Sequence, residues 1–334
     1  MKQPPKYSVV IPVYNRPDEV AELLESLCDQ TYKNFEIIIV EDGSKIPCKS
    51  VCDYYADRLN IRYFFQENGG PGKARNNGMQ KALGEYIILF DSDCVIPPDY
   101  FVNVEAGLAK YNWDSFGGPD DAHESFSDIQ KAINYTMTSF LTTGGIRGKK
   151  TMLTDYQARS FNMGFRKKIV DEIGGFTTLH PGEDPDLSYR IKNAGYTMGL
   201  IPEAKVYHKR RIDFRKFYTQ VYKFGVVRII LSKWHKGTFK ITYLFPTLFF
   251  LGCIFLAIMA IAVHPIFLMP IVVYALAIFT HAAITTKNIK IAFFAMASAF
   301  IQFFGYGYGF LKSWVIVNLL CKDERKALPK FFFE

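Results

Sequence analysis

No Cys-x-x-Cys pair occurs among the six cysteines, at positions 28, 48, 52, 94, 253 and 321. A zinc ribbon or a paired redox motif is therefore excluded, and Cys48 with Cys52 lack the second ligand pair of a metal cluster. Free thiols are expected, as in a reducing compartment. The N-terminal run Met1-Lys-Gln-Pro-Pro-Lys6 lacks the apolar core of a signal peptide and leads straight into a strand. Repeats and low-complexity tracts are missing from residues 1–240. The absence with the largest consequence is that of charge: Ile241 to Val263 contains no charged residue at all.

At ~1.5 Å rise per residue that run crosses a hydrocarbon core of ~30 Å, even with Pro246 inside it. His264-Pro265 ends it, and Ile266 to Ile284 is a second apolar segment carrying only His281. A hairpin of two spans is expected. A third apolar stretch, Ile291 to Leu311, interleaves Gly305, Gly307 and Gly309 with Tyr306, Tyr308 and Phe310. Such glycines permit either tight helix packing or a break in the helix. Lys233, Lys236 and Lys240 precede the first span, and Lys287 and Lys290 follow the second, so the positive-inside rule puts residues 1–240 in the cytoplasm, at a bacterial-type inner membrane. The tail Lys322 to Lys330 is also basic. Three crossings would put it on the wrong side, so either the third segment is re-entrant or interfacial, or the tail breaks the rule.

The remaining residues, in a chain of 334 with a formal charge of +8, read as one globular domain. Four β-rich runs, Ser8–Val13, Glu36–Val40, Ile61–Phe65 and Tyr86–Phe90, alternate with helical segments, which predicts an α/β fold with a mainly parallel sheet. Asn15 suits a helix cap, Pro17 a first turn, and Val20, Leu23, Leu24 and Leu27 repeat at helical spacing. Each strand delivers polar groups at its carboxyl end: Tyr14 and Asn15, then Glu41-Asp42-Gly43-Ser44, then Asp91-Ser92-Asp93. In an open α/β sheet, ligands collect there. Two carboxylates one residue apart suit Mg²⁺ or Mn²⁺, which complete their shells with water and phosphate oxygens. A surface turn is the plain alternative. Between the third strand and the next helix lies Asn68-Gly-Gly-Pro-Gly-Lys-Ala-Arg-Asn76, read as a glycine-rich loop whose amides, with Lys73 and Arg75, can face phosphate. Its spacing matches neither a P-loop nor a dinucleotide fingerprint.

Taken in order, Ser8-Val-Val-Ile-Pro-Val-Tyr-Asn15, Val40-Glu-Asp-Gly-Ser44, Gly70-Pro-Gly-Lys-Ala-Arg-Asn76, Asp91-Ser-Asp93, Phe161-Asn-Met-Gly-Phe-Arg166, Gly174-Gly-Phe176 and Gly182-Glu-Asp-Pro-Asp-Leu-Ser-Tyr-Arg190 resemble a family 2 glycosyltransferase of the GT-A fold. The resemblance covers roughly residues 7–210. It implies a site for a nucleotide-diphosphate sugar, with a UDP-sugar expected, lined on the donor side by Pro12, Tyr14, Asn15, Asp42, Gly70, Lys73, Arg75, Asp91 and Ser92. Asp42 would hydrogen-bond the base and Asp91 would lie near the ribose. Asp93, with Asp91 and His208, would hold the metal, and Asp184 would be the catalytic base. Its carboxylate neighbours Glu183 and Asp186 are expected to raise its pKa. Glu183, Asn162 and Arg147 are assigned to the acceptor side. Plainer readings stand beside these: Asp42 shaping its turn, Arg75 pairing with Asp91, and Glu183-Asp184 as an acidic helix start.

The implied organisation is a catalytic domain over 1–210, an amphipathic basic and aromatic segment over 211–240 that suits a lipid surface, a membrane region over 241–320 and a tail over 321–334. The implied reaction is inverting transfer of one sugar to a hydroxyl of a lipid-linked or membrane-associated glycan in cell-surface polysaccharide assembly. A polyprenyl phosphate acceptor is the near rival. A catalytically inactive, nucleotide-binding membrane scaffold is the rival of another class. No Gln-x-x-Arg-Trp-like motif marks a processive synthase. Nucleic acid is not an expected partner, because most excess charge flanks the spans.

Overall fold

In the computed structural model, which describes residues 4–121, 127–143, 156–208 and 213–333 (backbone only at 121, 143 and 208), the chain divides into two compact units. The first comprises residues 1–123, 150–209 and 332–334, and the second residues 124–149 and 210–331. In chain order the elements begin with β1 (Tyr7–Val13), α1 (Pro17–Cys28), β2 (Phe35–Asp42), α2 (Lys49–Tyr55), β3 (Ile61–Gln66), α3 (Gly70–Lys81) and β4 (Tyr86–Phe90). They continue with β5 (Cys94–Val95), α4 (Tyr100–Tyr111), β6 (Ser115–Gly117), β7 (Asp120–Asp121), α5 (Asp128–Thr138), α6 (Phe140–Thr143), β8 (Asn162–Arg166) and α7 (Lys167–Ile173). The last are α8 (Glu183–Asn193), β9 (Met198–Leu200), β10 (Val206–His208), α9 (Phe214–Trp234), α10 (Phe245–Ala262), α11 (Met269–Thr286), α12 (Ile289–Trp314) and α13 (Glu324–Ala327).

The first unit is built on a seven-stranded sheet in the order β3-β2-β1-β4-β8-β6-β9, with β8 antiparallel to both its neighbours. The strands alternate cleanly. Val9, Ile11, Ile37, Ile39, Ile88 and Phe90 face a layer containing Leu23, Leu24, Leu27 and Phe101, while Val10, Ile38, Val40, Ile87 and Leu89 face Ala74, Met79, Ile169, Leu187 and Ile191. Burial on both faces is what makes these strands read as nearly continuous apolar runs. Register aligns the strand ends: Val10 lies opposite Leu89, Pro12 opposite Val40, and Asp42 opposite Gln66. The segments that follow β1, β2 and β4 therefore leave the sheet side by side.

On the second face α3 sits very close to the sheet. A Cβ at Gly78 would come within 2.4 Å of Val10 and 3.2 Å of Val40. Gly78→Ala is expected to destabilise the protein by ~1–3 kcal/mol through overpacking, read as a lowered denaturation midpoint. Gly175 meets the same helix, since a Cβ there would come within 2.1 Å of Asn76 Oδ1, and Asn76 exchanges hydrogen bonds with both backbone groups of Phe176 (2.8 and 2.7 Å). Arg190 Nη2 donates to the Gly175 carbonyl at 2.5 Å. Two of the glycine-rich motifs are thus joined across the fold.

The structure differs from the sequence-based expectation at two places here. Asn15 does not cap α1, whose N-cap is Arg16 with no side-chain bond. Asn15 has a left-handed backbone (φ 54°), and its Oδ1 accepts the amides of Lys45 and Ile46, so it ties the β1 and β2 ends together. The glycine-rich stretch after β3 is not a loop: Gly70 already opens α3.

In the second unit α9 and α12 lie along one another. Phe214 meets Phe294, Tyr222 stacks on Tyr308, and Gly225 brings α9 against the Tyr306 carbonyl. The glycines of α12 serve packing and do not break the helix. Gly305 faces Tyr218 and Val221, Gly307 faces the Pro246 carbonyl and Gly309 faces the Tyr222 carbonyl. Helix α5 joins this unit through Tyr135, whose hydroxyl is 2.5 Å from His281 Nδ1, and Thr136, which donates to the Ala295 carbonyl. Among the described residues three helical stretches, Ile241–Ala262, Pro265–Thr286 and Ile289–Leu319, are long and apolar enough to cross a membrane.

Candidate active site

Asp42 ends β2 and receives the start of α3. Its Oδ1 accepts the Gln66 amide nitrogen (2.8 Å) and the Gly69 N–H (2.9 Å), and its Oδ2 accepts the Gly70 N–H (2.9 Å). The carboxylate therefore satisfies amides that an α-helix leaves free at its N-terminus, where negative charge is also favoured. Gly70 has φ +85°, and a Cβ there would meet the Phe333 ring at 2.8 Å. Phe333 is held in place by its own N–H, which donates to the Thr178 carbonyl at 2.9 Å.

At the end of β4, Asp91 accepts from Arg75 Nη2 at 2.7 Å, and Asp93 Oδ2 lies 2.6 Å from Arg16 Nη1. Arg16 was not singled out from sequence. It follows Asn15, and the left-handed turn there starts α1 at a point where the guanidinium reaches across to Asp93. Arg75 is nearly enclosed, with its side chain 5% exposed, and lies over the Phe176 ring (5.4 Å). Its Nη1 is 3.6 Å from Glu183 Oε1, so one cation links the β4 end to the start of α8. Burial alone would push Arg75 down, but Asp91, Asp184 and Glu183 together hold it above its ordinary value.

Asp184 stands in the first turn of α8, half-buried as a residue, with its Oδ1 enclosed and without a hydrogen-bond partner. Removal from water raises its pKa from 3.8 to about 6, and the charge of Glu183 adds to this against the pull of Arg75. The expected rise is present but its cause differs in part. Asp186 pairs with Arg190 Nε (3.0 Å) and is not among the leading causes, of which burial is the largest. Glu183 moves the other way. Burial raises it, but the His180 Nδ1 contact at 2.8 Å and the charges of His180 and Arg75 outweigh that and hold it below the usual range. Two adjacent carboxylates are thus driven apart, one kept ionised and one poised to take a proton near neutrality.

Asn162, read from sequence as facing an acceptor, is instead a core residue. It is fully buried, its Oδ1 accepts from Tyr100 (2.7 Å) and its Nδ2 donates to the Ala204 carbonyl (2.7 Å), so both ends are used internally. Tyr14 is half exposed at the β1 end, Lys73 is exposed on the first turn of α3, and Pro12 and Ser92 lie at the strand ends beside them. In β10 the backbone of His208 pairs with Cys94, next to Asp93. The His208 side chain and Arg147 lie outside the described residues.

Among the described residues no three His, Cys, Asp or Glu side chains form a metal cluster. Asp91 and Asp93 remain partly open, at 29% and 17%. Two accessible carboxylates on a strand end fit a hard divalent ion that takes its other ligands from phosphate and water.

Over residues 8–174 the chain matches the family described as Glycosyl transferase family 2, and over residues 158–304 that described as Glycosyl transferase family group 2. An uncharacterized glycosyltransferase of Rickettsia felis is 47% identical over 137 residues, 41% of this chain and 22% of that protein. Glycosyltransferase GlyA of Streptococcus pneumoniae serotype 4 is 36% identical over 110 residues, 33% of this chain and 16% of that protein. The match thus spans less than a quarter of the length of these relatives. Among solved structures, a mannosyltransferase from Pyrobaculum calidifontis in complex with GDP-Man and Mn²⁺ is similar with a TM-score of 0.57 and 16% identity, over 96% of this chain and 89% of that one.

Proposed function

Because the chain belongs to glycosyltransferase family 2 and has its GT-A fold, we propose that it is an inverting, metal-dependent enzyme moving one sugar from a nucleotide-diphosphate sugar to a hydroxyl of a lipid-linked or membrane-associated glycan. The observation that carries this reading is Asp184, a half-buried carboxylate with one enclosed, unpartnered oxygen and a pKa pushed up to about 6. Such a group takes the acceptor hydroxyl proton as the new oxygen–carbon bond forms, while the bond from that carbon to phosphate breaks and the diphosphate leaves with the electron pair. One base with displacement from the opposite face gives inversion. An acceptor that is itself a phosphate would meet Glu183 and Asp184 as like charges and needs no base, so the pair favours a hydroxyl.

On the donor side, Lys73 and the α3 amides suit the diphosphate. Asp42 Oδ2, bonded to Gly70, keeps a lone pair for a nucleobase N–H. Asp93 and Asp91 would hold the divalent ion, which neutralises charge on the departing diphosphate. Arg16 pairs with Asp93 at 2.6 Å. The lysines flanking the apolar runs support a catalytic unit on the cytoplasmic face of the inner membrane, in cell-surface polysaccharide assembly.

Binding of UDP, GDP and CMP to the detergent-purified protein, with and without Mn²⁺, tests the donor site. Binding of one nucleotide, strengthened at least tenfold by the ion and losing that gain in Asp93→Ala, is the expected result. Equal binding with and without the ion in both proteins would remove the metal from the scheme. Absence of any nucleotide binding by the folded protein would overturn the transferase reading.

A further inference from the structure

The side of the membrane on which α12 begins and ends follows from contacts internal to each unit. In the second unit Glu324, in α13 beyond α12, accepts from Lys233 Nζ at 2.6 Å and from Trp234 Nε1 at 2.8 Å. Lys233 and Trp234 end α9, ahead of the first apolar run. Lys290, at the start of α12, lies 2.9 Å from Asp128, which opens α5 shortly after β7. In the first unit Phe333 bonds Thr178 and Phe332 bridges Leu179. The chain thus stands on one side of the bilayer at residue 234, at residue 290 and again at residues 324 and 333. A chain that returns to its starting side has crossed an even number of times, and between 234 and 290 that number is accounted for by α10 and α11.

The company that α12 keeps gives the same result. Along its length it lies on α9, which carries Arg215, Lys216, Lys223, Arg228 and Lys233. Drawing those charges into hydrocarbon costs ~2.5–3.5 kcal/mol each. The apolar window of α12 is 39% buried within the fold, against 11% for each of the other two candidates. Its exposed Ile289, Phe293, Tyr308 and Trp314 fall on one face at helical spacing.

We propose that α12 does not cross the membrane. With α9 it forms a two-helix platform lying in the interface of the catalytic-side leaflet, with the basic residues of α9 toward anionic headgroups and the Phe293–Trp314 face toward the acyl boundary, and with α10 and α11 as the two crossings. This extends the membrane reading above and rests on it. It resolves the charge conflict of the basic tail, since Lys322, Arg325, Lys326 and Lys330 then obey the positive-inside rule.

Cys321, exposed just past α12, is a native probe. The full chain, in intact spheroplasts and in inverted membrane vesicles, is treated with a membrane-impermeant maleimide, with Cys321→Ser as the background control. Cys321 is expected to label at least tenfold more in inverted vesicles, and Val263→Cys, in the α10–α11 turn, at least tenfold more in spheroplasts. Labelling of Cys321 from the same side as Val263→Cys would overturn the proposal and leave the membrane reading intact. Equal labelling of Val263→Cys from both sides, with the chain released from membranes by carbonate, would overturn both. Spin labels at Phe293→Cys and Tyr308→Cys are expected at equal depth in the platform, whereas a crossing helix would separate them by roughly 22 Å.

Discussion

Replacement of Asp184 by asparagine is expected to abolish sugar transfer while leaving nucleotide binding within a few-fold of the parent. The loss should be at least ~10²–10⁴-fold in kcat, the range for removing a positioned general base. A second signature separates this from general damage. The carboxyl is raised in the fold to about 6, so relative to the unfolded chain the folded protein loses stability as pH rises from about 4 through about 6. The full cost at neutral pH is up to ~3 kcal/mol. Asparagine carries no such penalty, so the inactive variant should be the more stable one above pH 6 and not below pH 4. Thermal denaturation in detergent at pH 4.5 and pH 7.5, beside a transfer assay, reads both effects. In the parent enzyme the rate should fall about tenfold per pH unit below pH 6, as the base takes up its proton. A variant that is both unstable and unable to bind nucleotide would point to a structural role for Asp184.

Removal of Arg75 should be the more destructive change. Its guanidinium is enclosed among Asp91, Glu183 and Asp184, so Arg75→Met takes the shared cation from all three carboxylates and leaves Glu183 with His180 alone. Breaking a buried pair from one side costs ~3–5 kcal/mol. Loss of transfer by at least ~10²-fold is expected as well. The surviving activity should carry the diagnostic: with the attraction of Arg75 gone, Asp184 holds its proton more firmly and the acid limb of the rate profile moves to higher pH. A lower denaturation midpoint with an unmoved acid limb would mean that Arg75 supports the fold without acting on Asp184.

The parallel sheet was legible because burial on both faces leaves runs such as Ile37–Val40 and Ile87–Phe90, whose ends the turn residues mark. Asp91, Asp93 and Asp184 were legible as motif members, and the structure places them just past the end of β4 and in the first turn of α8. What a linear reading misses is partnership across the fold. Arg16 looks like an ordinary turn residue until the left-handed Asn15 aims it at Asp93. Asn162 sits in a motif yet spends both polar ends on Tyr100 and Ala204, because β8 lies inside the sheet where no side-chain polar group can go unsatisfied. The glycines of α12 carried two readings because close packing and helix breakage select the same residue, and only the neighbour at each Cβ position distinguishes them. The raised pKa of Asp184 was foreseen from neighbouring charge, but burial, which is invisible in a short motif, is its larger source.

Phe332 and Phe333 belong to the first unit although the three long apolar helices separate them in sequence from the rest of it. As the chain leaves the ribosome, the sheet, Asp93 and Asp184 are all made first, and the loop around Thr178 to Glu183 then waits for a partner that has not been synthesised. That loop gains its last bridge, and Gly70 its aromatic cover, only after both hydrophobic hairpin helices have emerged. A fragment ending before the first apolar run therefore keeps the motifs of the sequence while missing Phe332 and Phe333, which bridge Leu179, bond Thr178 and cover Gly70.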